Sequence, residues 1–258
     1  MIDKDLNKYA NKLVNAFLKN KIISPIPNKY TKKLSAAQKV RKLCEKKITK
    51  PIIGFKAAGT GIAVLKKLKE KEPFYAAVYH HNVLNNKSKV KINKFTLGIE
   101  LEVCYLIRKE FFTFKKKVSK NNLKRFIKYI APCIEVVGYR QKKKGIRSLG
   151  DLCSDFGANM KFVLGSKRKF KNQNVKNLKT KIFNKKINQY VTGNTNTVFI
   201  NPLNSLRFVL RKLQKDNINH YKDFYIFTGS SVGVVPILAK GTYKGVIDKL
   251  GSVSAYIN

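Results

Sequence analysis

An α+β fold, with helices in front and mixed strands behind, is predicted for this chain by three observations. Apolar residues recur at helical spacing near the N-terminus, strand-length apolar runs bounded by turn residues dominate the rest, and no internal repeat or flexible linker divides the sequence. Leu6, Ala10, Leu13, Val14 and Phe17 form one helical stripe, and Leu34, Val40, Leu43 and Cys44 form a second after Ser35, with Pro25 and Pro27 between them. The expected division is a helical segment over residues 1–50 and a β-rich domain over residues 51–258.

PIIGF reads as a short buried strand leading to Lys56, followed by the small-residue turn AAGTG and a helix capped at Thr60, with Ile62, Leu65 and Leu68 inward. The polar turn NNKSK from Asn85 precedes a long strand through Glu100. Ser119 opens a predicted helix carrying Leu123, Phe126, Ile127 and Ile130, which Pro132 ends. CIEVVGY reads as a second buried strand, and the Gly and Asn content of DLCSDFGANMKFVLG predicts an irregular loop near a site. KIFNKKINQYV predicts a hairpin centred near Asn184. Asn201 and Pro202 supply an N-cap and a first-turn proline to a helix with Leu206, Val209, Leu210 and Leu213 inside. The tail reads as the strands DFYIFTG, SVGVVPILAKG, TYKGVI and GSVSAYI separated by glycine turns.

The 258 residues, 43% of them apolar and 11% aromatic, suffice to bury a large core. No apolar stretch approaches the roughly 20 residues that a membrane helix needs, and the N-terminal pattern is amphipathic rather than the core of a signal peptide. A cytoplasmic protein without a membrane partner is expected. Cys44, Cys104, Cys133 and Cys153 are far apart and show no CxxC spacing, which predicts buried free thiols. The net charge of +41, from 55 Lys and Arg against 14 Asp and Glu, invites a nucleic-acid reading through phosphate neutralisation. The lysines are nevertheless spread along the whole chain, with abundant Asn and Ile and no Trp, which is the mark of compositional drift rather than of a selected patch. The basic runs at residues 115–117 and 142–144, and SKRKFKNQNVKNLKTK from Ser166, read as exposed turns. No specific nucleic-acid partner is expected, only weak association with acidic polymers at low salt.

Two acids stand apart from this background. Glu100 and Glu102 lie one residue apart in the apolar run FTLGIELEVCYLI, where strand alternation puts both on one face and Ile99, Leu101, Val103 and Tyr105 on the other. About 7 Å apart along the backbone, with no Lys or Arg between Phe95 and Ile107, they repel and resist ionisation unless a cation neutralises them. Asp3/Asp5 and Glu70/Glu72 share the spacing but lie in polar, lysine-bearing stretches typical of a solvated helix face. Two glutamates on an exposed sheet face, paired with lysines, are the competing reading. A hard divalent ion wants about six oxygens, so a third anionic ligand is expected. Glu135, the one acid in CIEVVGY, is the best candidate, because a carboxylate between Ile134 and Val136 is costly unless paired or coordinated.

Eight segments then stand in an order that resembles the 2-keto-4-pentenoate hydratase branch of the fumarylacetoacetate hydrolase superfamily, which also contains 4-oxalocrotonate decarboxylases. They are IGFKAAGTG, EPFYAAVYHHNVL, GIELEVCYLI, APCIEVVGYR, SDFGANMKFVLG, NPLNSLRFVLRKL, FTGSSVGVVPILAKG and LGSVSAYI. The resemblance runs from Pro51 to the C-terminus, and it implies that residues 51–258 form a catalytic domain with the mixed-sheet, β-roll core of the fumarylacetoacetase C-terminal domain. It further implies Mg2+ or Mn2+ held by Glu100, Glu102 and Glu135, a catalytic lysine at Lys56, and an aspartate at Asp155 that orients water or substrate or else caps its loop. Thr228, Gly229 and Ser230 match a turn near the substrate carboxylate, where hydroxyl and N–H groups can bind an anion; a plain β-turn is the alternative. A homo-oligomer is implied as well. Lys56, behind an apolar run and before small residues, is expected to be partly desolvated, with its pKa lowered into an acid/base range.

The chain departs from the family pattern at Ala76-Ala77-Val78 and His80-His81, where Gly-x-Leu and an Asp are common, at Gly138 and at Phe156. Gly138-Tyr139 is followed by RQKKK, without the acid that superfamily hydrolases place there, so Glu135 favours the hydratase/decarboxylase branch. The activity implied is addition of water to a 2-hydroxy-2,4-dienoate to give a 4-hydroxy-2-oxo acid. A 4-oxalocrotonate-type decarboxylase, an acylpyruvate-type C–C hydrolase and a non-enzymatic polyanion-binding protein are the alternatives.

Overall fold

The computed structural model describes residues 4–142 and 148–258, so Asp3 and the lysines at 143 and 144 lie outside the described residues. In chain order the elements are α1 (Lys4–Lys19), α2 (Leu34–Lys47), β1 (Ile52–Ala58), α3 (Ile62–Lys67), β2 (Phe74–Tyr79), β3 (Val83–Leu84), β4 (Lys89–Val90), β5 (Thr96–Ile107) and β6 (Ile127–Gly138). They continue with α4 (Leu149–Ser154), β7 (Asn159–Leu164), β8 (Arg168–Lys169), β9 (Lys179–Asn184), β10 (Gln189–Asn194), α5 (Pro202–Lys215), β11 (Phe224–Ser230), β12 (Gly241–Ile247) and β13 (Gly251–Ile257).

Among the described residues the strands form two mixed sheets. The larger has the order β2-β1-β11-β5-β6-β7-β3, with β8 added to β6; the smaller has the order β10-β9-β12-β13-β4. Parallel pairing joins β1 to β11, while β11, β5, β6 and β7 follow one another antiparallel. The small sheet packs on β5, β6 and β7, and α5 packs on β1, β2 and β11. The main core follows from alternation: Ile99, Leu101, Val103 and Tyr105 of β5, Ile134 and Val136 of β6, and Phe224 and Ile226 of β11 share one cluster with Leu206, Val209, Leu210 and Leu213 of α5 and with Ile182, Tyr243 and Val253 of the small sheet. This is the expected α+β architecture.

The expected helix start at Asn201 is observed, with the Asn201 side chain accepting from the Asn204 N–H and Pro202 in the first turn. The expected hairpin is β9–β10, turning just after Asn184. All four cysteines are buried and free, and no helix among the described residues is long and apolar enough to cross a membrane.

Other expectations are corrected. The helix after Ser119 is a short turn, Leu123–Phe126, followed by the 12-residue strand β6. Its apolar residues fall at helical spacing, but two flanking strands capture Ile127 and Ile130 into the sheet, and tertiary pairing overrides the local period. Pro132 interrupts nothing, because it lies where β6 passes from pairing with β8 to pairing with β7, so its missing N–H faces a gap in the ladder. The strand through Glu100 begins only at Thr96. The loop expected at DLCSDFGANMKFVLG is α4, a left-handed turn and β7. The helix expected to be capped at Thr60 is capped at Gly61 and exposes Ile62, and SVGVVPILAKG makes a single bridge, Val235 to Ile99, instead of a strand.

Helix α1 is seated by Phe17, whose ring lies 4.5 Å from that of Phe156 and 5.4 Å from that of Tyr79, with the Arg140 guanidinium 4.9 Å from its centre. Phe17→Ala is therefore expected to cost about 3–5 kcal/mol in denaturant unfolding. A loss below about 1 kcal/mol would show that α1 is not integral to the core.

Candidate functional site

The face of β5 opposite the main core carries Glu100, Glu102 and Cys104, and the same face of β6 carries Cys133 and Glu135. The antiparallel register sets Glu100 directly opposite Glu135, and Glu102 opposite Cys133. Directly paired residues have Cβ atoms about 5 Å apart, so backbone geometry alone gathers three carboxylates. One oxygen from each of the three lies within 4.8 Å of the other two. Glu102 and Glu135 are fully buried, and Glu100 keeps a partly exposed edge. Below them Val78, Cys104, Cys133, Phe162 and Phe227 make a small apolar cluster that serves as the floor of the site.

Such a cluster is electrostatically unfavourable as it stands. Burial, and then the charge of Glu135, pushes the Glu100 carboxyl up to about 7. The same two causes hold Glu102 well above the ordinary carboxylate range, with a nearby Gly229 N–H offsetting only a small part. Burial raises Glu135 too, although Lys56 pulls against it. Both oxygens of Glu102 and one of Glu135 lack hydrogen-bond partners. Buried oxygens of this kind are normally satisfied, and three hard anionic donors with unused lone pairs fit a divalent cation such as Mg2+. The residues that could hold it are the three that the sequence singled out.

Lys56 lies on β1, two strands from Glu102. Its Nζ donates to Glu135 Oε1 at 2.5 Å and to the Gly157 carbonyl at 2.9 Å, and sits 5.9 Å from the centre of the Phe162 ring. The residue is buried as expected, but the expected lowering of its pKa is overturned. Burial is the largest single effect and does lower it, yet Glu135, Glu100 and Glu102 together outweigh burial and raise the ammonium above its ordinary value. Sequence shows the desolvating apolar run but not the three carboxylates that the fold brings to the amine.

Lys56 and Glu100 open into a cavity of about 380 Å³, with Glu102 and Glu135 buried behind its wall. Lys56, Glu100 and Ser230 line it together with Thr60, Gly157, Gly229 and an apolar wall that includes Leu97, Val137, Leu152 and Val234. Gly229 has φ +101°, and a Cβ there would fall 2.0 Å from Thr60 Oγ1, so glycine is required for Thr60 to approach. Ser230 Oγ donates to the Gly233 carbonyl at 2.8 Å. Thr228 does not line the cavity: it is buried, and its hydroxyl donates to the Val103 carbonyl at 2.8 Å, back into the sheet. A larger groove of about 730 Å³ runs along the outer face of α5 beside Glu72, Arg207, Arg211 and Lys215, and contains none of Glu100, Glu102 and Glu135.

Asp155 lies behind the cavity and does not line it. It is buried, its two oxygens accept from the Arg140 backbone N–H at 2.6 Å and from Arg140 Nη1 at 3.0 Å, and burial raises its carboxyl despite that partner. Its side chain is engaged by Arg140 and makes no cap hydrogen bond to the turn that follows. Sequence reasoning missed Arg140, Gly157 and Thr60 as members of the site.

No protein-family model and no curated protein sequence matches this chain. Solved structures do resemble it. The 4-oxalocrotonate decarboxylase from Pseudomonas putida G7, complexed with magnesium and adipate, superposes with a TM-score of 0.86 at 18% identity over 100% of this chain and 99% of that one. The same protein complexed with calcium and acetate gives 0.85 at 19% identity, over 100% and 99%. A protein from Yersinia pestis CO92 assigned to the fumarylacetoacetate hydrolase family gives 0.58 at 13% identity, covering 82% of this chain and 95% of that one. At these identities the likeness is one of fold, and the fold is the one that the ordered motifs implied.

Proposed function

We propose that this protein is a divalent-metal-dependent enzyme of the fumarylacetoacetate hydrolase superfamily that stabilises the dienolate of a short 2-oxo acid. The observation that carries this reading is the buried Glu100–Glu102–Glu135 cluster, with three unpartnered oxygens, beside Lys56 at the wall of a cavity. Glu100, Glu102 and Glu135 would hold Mg2+ or Mn2+. The bound ion would supply Lewis-acid stabilisation of negative charge on the substrate's 2-oxygen.

The chain's own groups supply the rest. Lys56 holds a proton at Nζ beside Glu135 and can deliver it to, or take it from, a dienolate in the cavity. Gly229 and Ser230 line the cavity wall, and the Ser230 hydroxyl can serve a substrate carboxylate by turning from the Gly233 carbonyl to which it now donates. Leu97, Val137, Leu152 and Val234 favour a hydrocarbon segment and limit water.

Two fates of the dienolate remain in play. Likeness to 4-oxalocrotonate decarboxylase over the whole chain supports decarboxylation of a 2-oxohex-3-enedioate, in which the C5–C6 bond breaks and its electron pair passes through C4 and C3 to the 2-oxygen. The ordered sequence motifs support addition of water at C4 of a 2-hydroxypenta-2,4-dienoate. The two reactions share the carboxylate cluster and Lys56. A homo-oligomeric assembly is part of the proposal.

Metal-loaded protein incubated with each substrate is expected to consume at least one of them, with release of carbon dioxide or loss of dienol absorbance reporting which. Glu102→Gln is expected to lower turnover at least about 100-fold, and Lys56→Ala about 10²–10⁴-fold. Metal-independent turnover, or an unchanged Glu102→Gln variant, contradicts the reading. Binding of polyanions that falls steeply with salt, without turnover of either substrate, would favour the non-enzymatic alternative.

The raised Glu100 carboxyl sets a pH dependence. Between its ordinary 4.5 and about 7 the folded protein holds a proton that the unfolded chain releases, so this contribution to metal-free stability is lost as pH rises through that window. A divalent ion competes with the same proton. The rise in Tm on adding Mg2+ is therefore expected to be small near pH 5 and larger near pH 8; a rise independent of pH would place the ion elsewhere.

A further inference from the structure

The geometry points to Arg140 and Asp155 as a positioning pair that fixes Lys56 by clamping a strained turn, an inference that rests on the reading of the cavity as an enolate-stabilising site. Three consecutive residues, Phe156, Gly157 and Ala158, have φ of +54°, +71° and +59°. Only the middle one is glycine. Such a backbone persists where its surroundings over-determine it, and it is found disproportionately at functional sites.

Here the surroundings are specific. Arg140 spans the turn, with Nη1 donating to Asp155 Oδ1 at 3.0 Å before it and Nη2 donating to the Asn159 carbonyl at 2.7 Å after it. The Arg140 backbone N–H donates to Asp155 Oδ2 at 2.6 Å. Inside the loop, Asn159 Nδ2 donates to the Phe156 carbonyl at 2.8 Å, and the Ala158 N–H donates to the Asp155 carbonyl at 2.8 Å. The Phe17 and Phe95 rings lie 4.9 Å and 5.5 Å from the guanidinium and shield it from water.

What the turn presents to the site is the Gly157 carbonyl, which accepts from Lys56 Nζ at 2.9 Å. The other partner of the ammonium is Glu135, one of the three proposed metal ligands. When Glu135 turns its oxygens to a cation, the Gly157 carbonyl is the contact that keeps Nζ in register with the cavity. Arg140 and Asp155 touch no substrate, and they act through that carbonyl.

The test compares Asp155→Asn and Arg140→Lys with the unmodified protein, each checked by thermal melting for a folded state. Arg140→Lys keeps the charge but cannot reach both ends of the turn. The expected result is a fall in kcat of about tenfold to a hundredfold, with KM and half-saturating Mg2+ within about twofold. In crystals of the folded variants the Lys56 Nζ to Gly157 O separation is expected to exceed about 3.5 Å. Unchanged kcat, a retained contact, or kcat, KM and metal affinity all shifting together would overturn the assignment. If neither variant folds, Gly157→Ala addresses the same contact with the clamp intact, because its added Cβ would sit 3.3 Å from Ala58 Cβ and 3.4 Å from Lys56 Cδ. The same split in kcat against KM is then expected, and its absence is equally decisive. Should the unmodified protein turn over no 2-oxo acid, the functional reading fails, while the clamp is still judged by the crystallographic contact.

Discussion

Three carboxylates on one face of a buried sheet repel one another, and burial removes the water that would otherwise soften that repulsion. One buried ammonium, Lys56, offsets part of the charge, at 2.5 Å from Glu135. It leaves Glu100 and Glu102 with carboxyls raised well above their ordinary range and three oxygens without partners. A chain that needed only a stable sheet would do better with apolar residues at these positions, since replacing buried charges with packed hydrocarbon is often neutral or stabilising. The arrangement makes physical sense as a site poised to accept positive charge.

The rest of the fold holds this unfavourable arrangement in place. The register of β5 against β6 sets Glu100 opposite Glu135, and a slip of β5 by one residue would turn Glu100 and Glu102 into the main core and leave Glu135 alone on the site face. That register is secured by Ile99, Leu101, Val103, Ile134 and Val136, which fill the opposite face beneath the small sheet. Parallel pairing of β1 with β11 brings Lys56 to the same face, where the Phe162–Phe227 pair, 4.1 Å apart, closes the floor. Behind the cavity, the Arg140–Asp155 pair holds a left-handed turn that could not persist unaided. Packing energy on one side of the sheet thus sustains electrostatic strain on the other.

The parts of this structure legible in the sequence were those set by short-range periodicity. Alternation in FTLGIELEVCYLI revealed which face of β5 is polar, and Asn201-Pro202 marked the start of α5. Glu135 stood out because an isolated acid between Ile134 and Val136 has few inexpensive explanations. What escaped was decided by contacts distant in sequence. Ile127 and Ile130 fall at helical spacing and became strand because β5 and β8 claim them. The rise in the Lys56 pKa reflects acids 44 to 79 residues away, whereas its local context signals only desolvation. Thr60 enters the cavity because Gly229, on a strand far along the chain, leaves it room. Thr228 shows the converse: it sits in a promising motif, but it lies within strand β11 rather than in a turn, and its hydroxyl serves the backbone.

The most direct measurement of the central claim is anomalous diffraction from crystals soaked in Mn2+. The account predicts one strong peak among Glu100, Glu102 and Glu135, roughly 2.0–2.6 Å from an oxygen of each. Absence of that peak at saturating Mn2+, or a peak elsewhere with Glu102 still unpartnered, would contradict it.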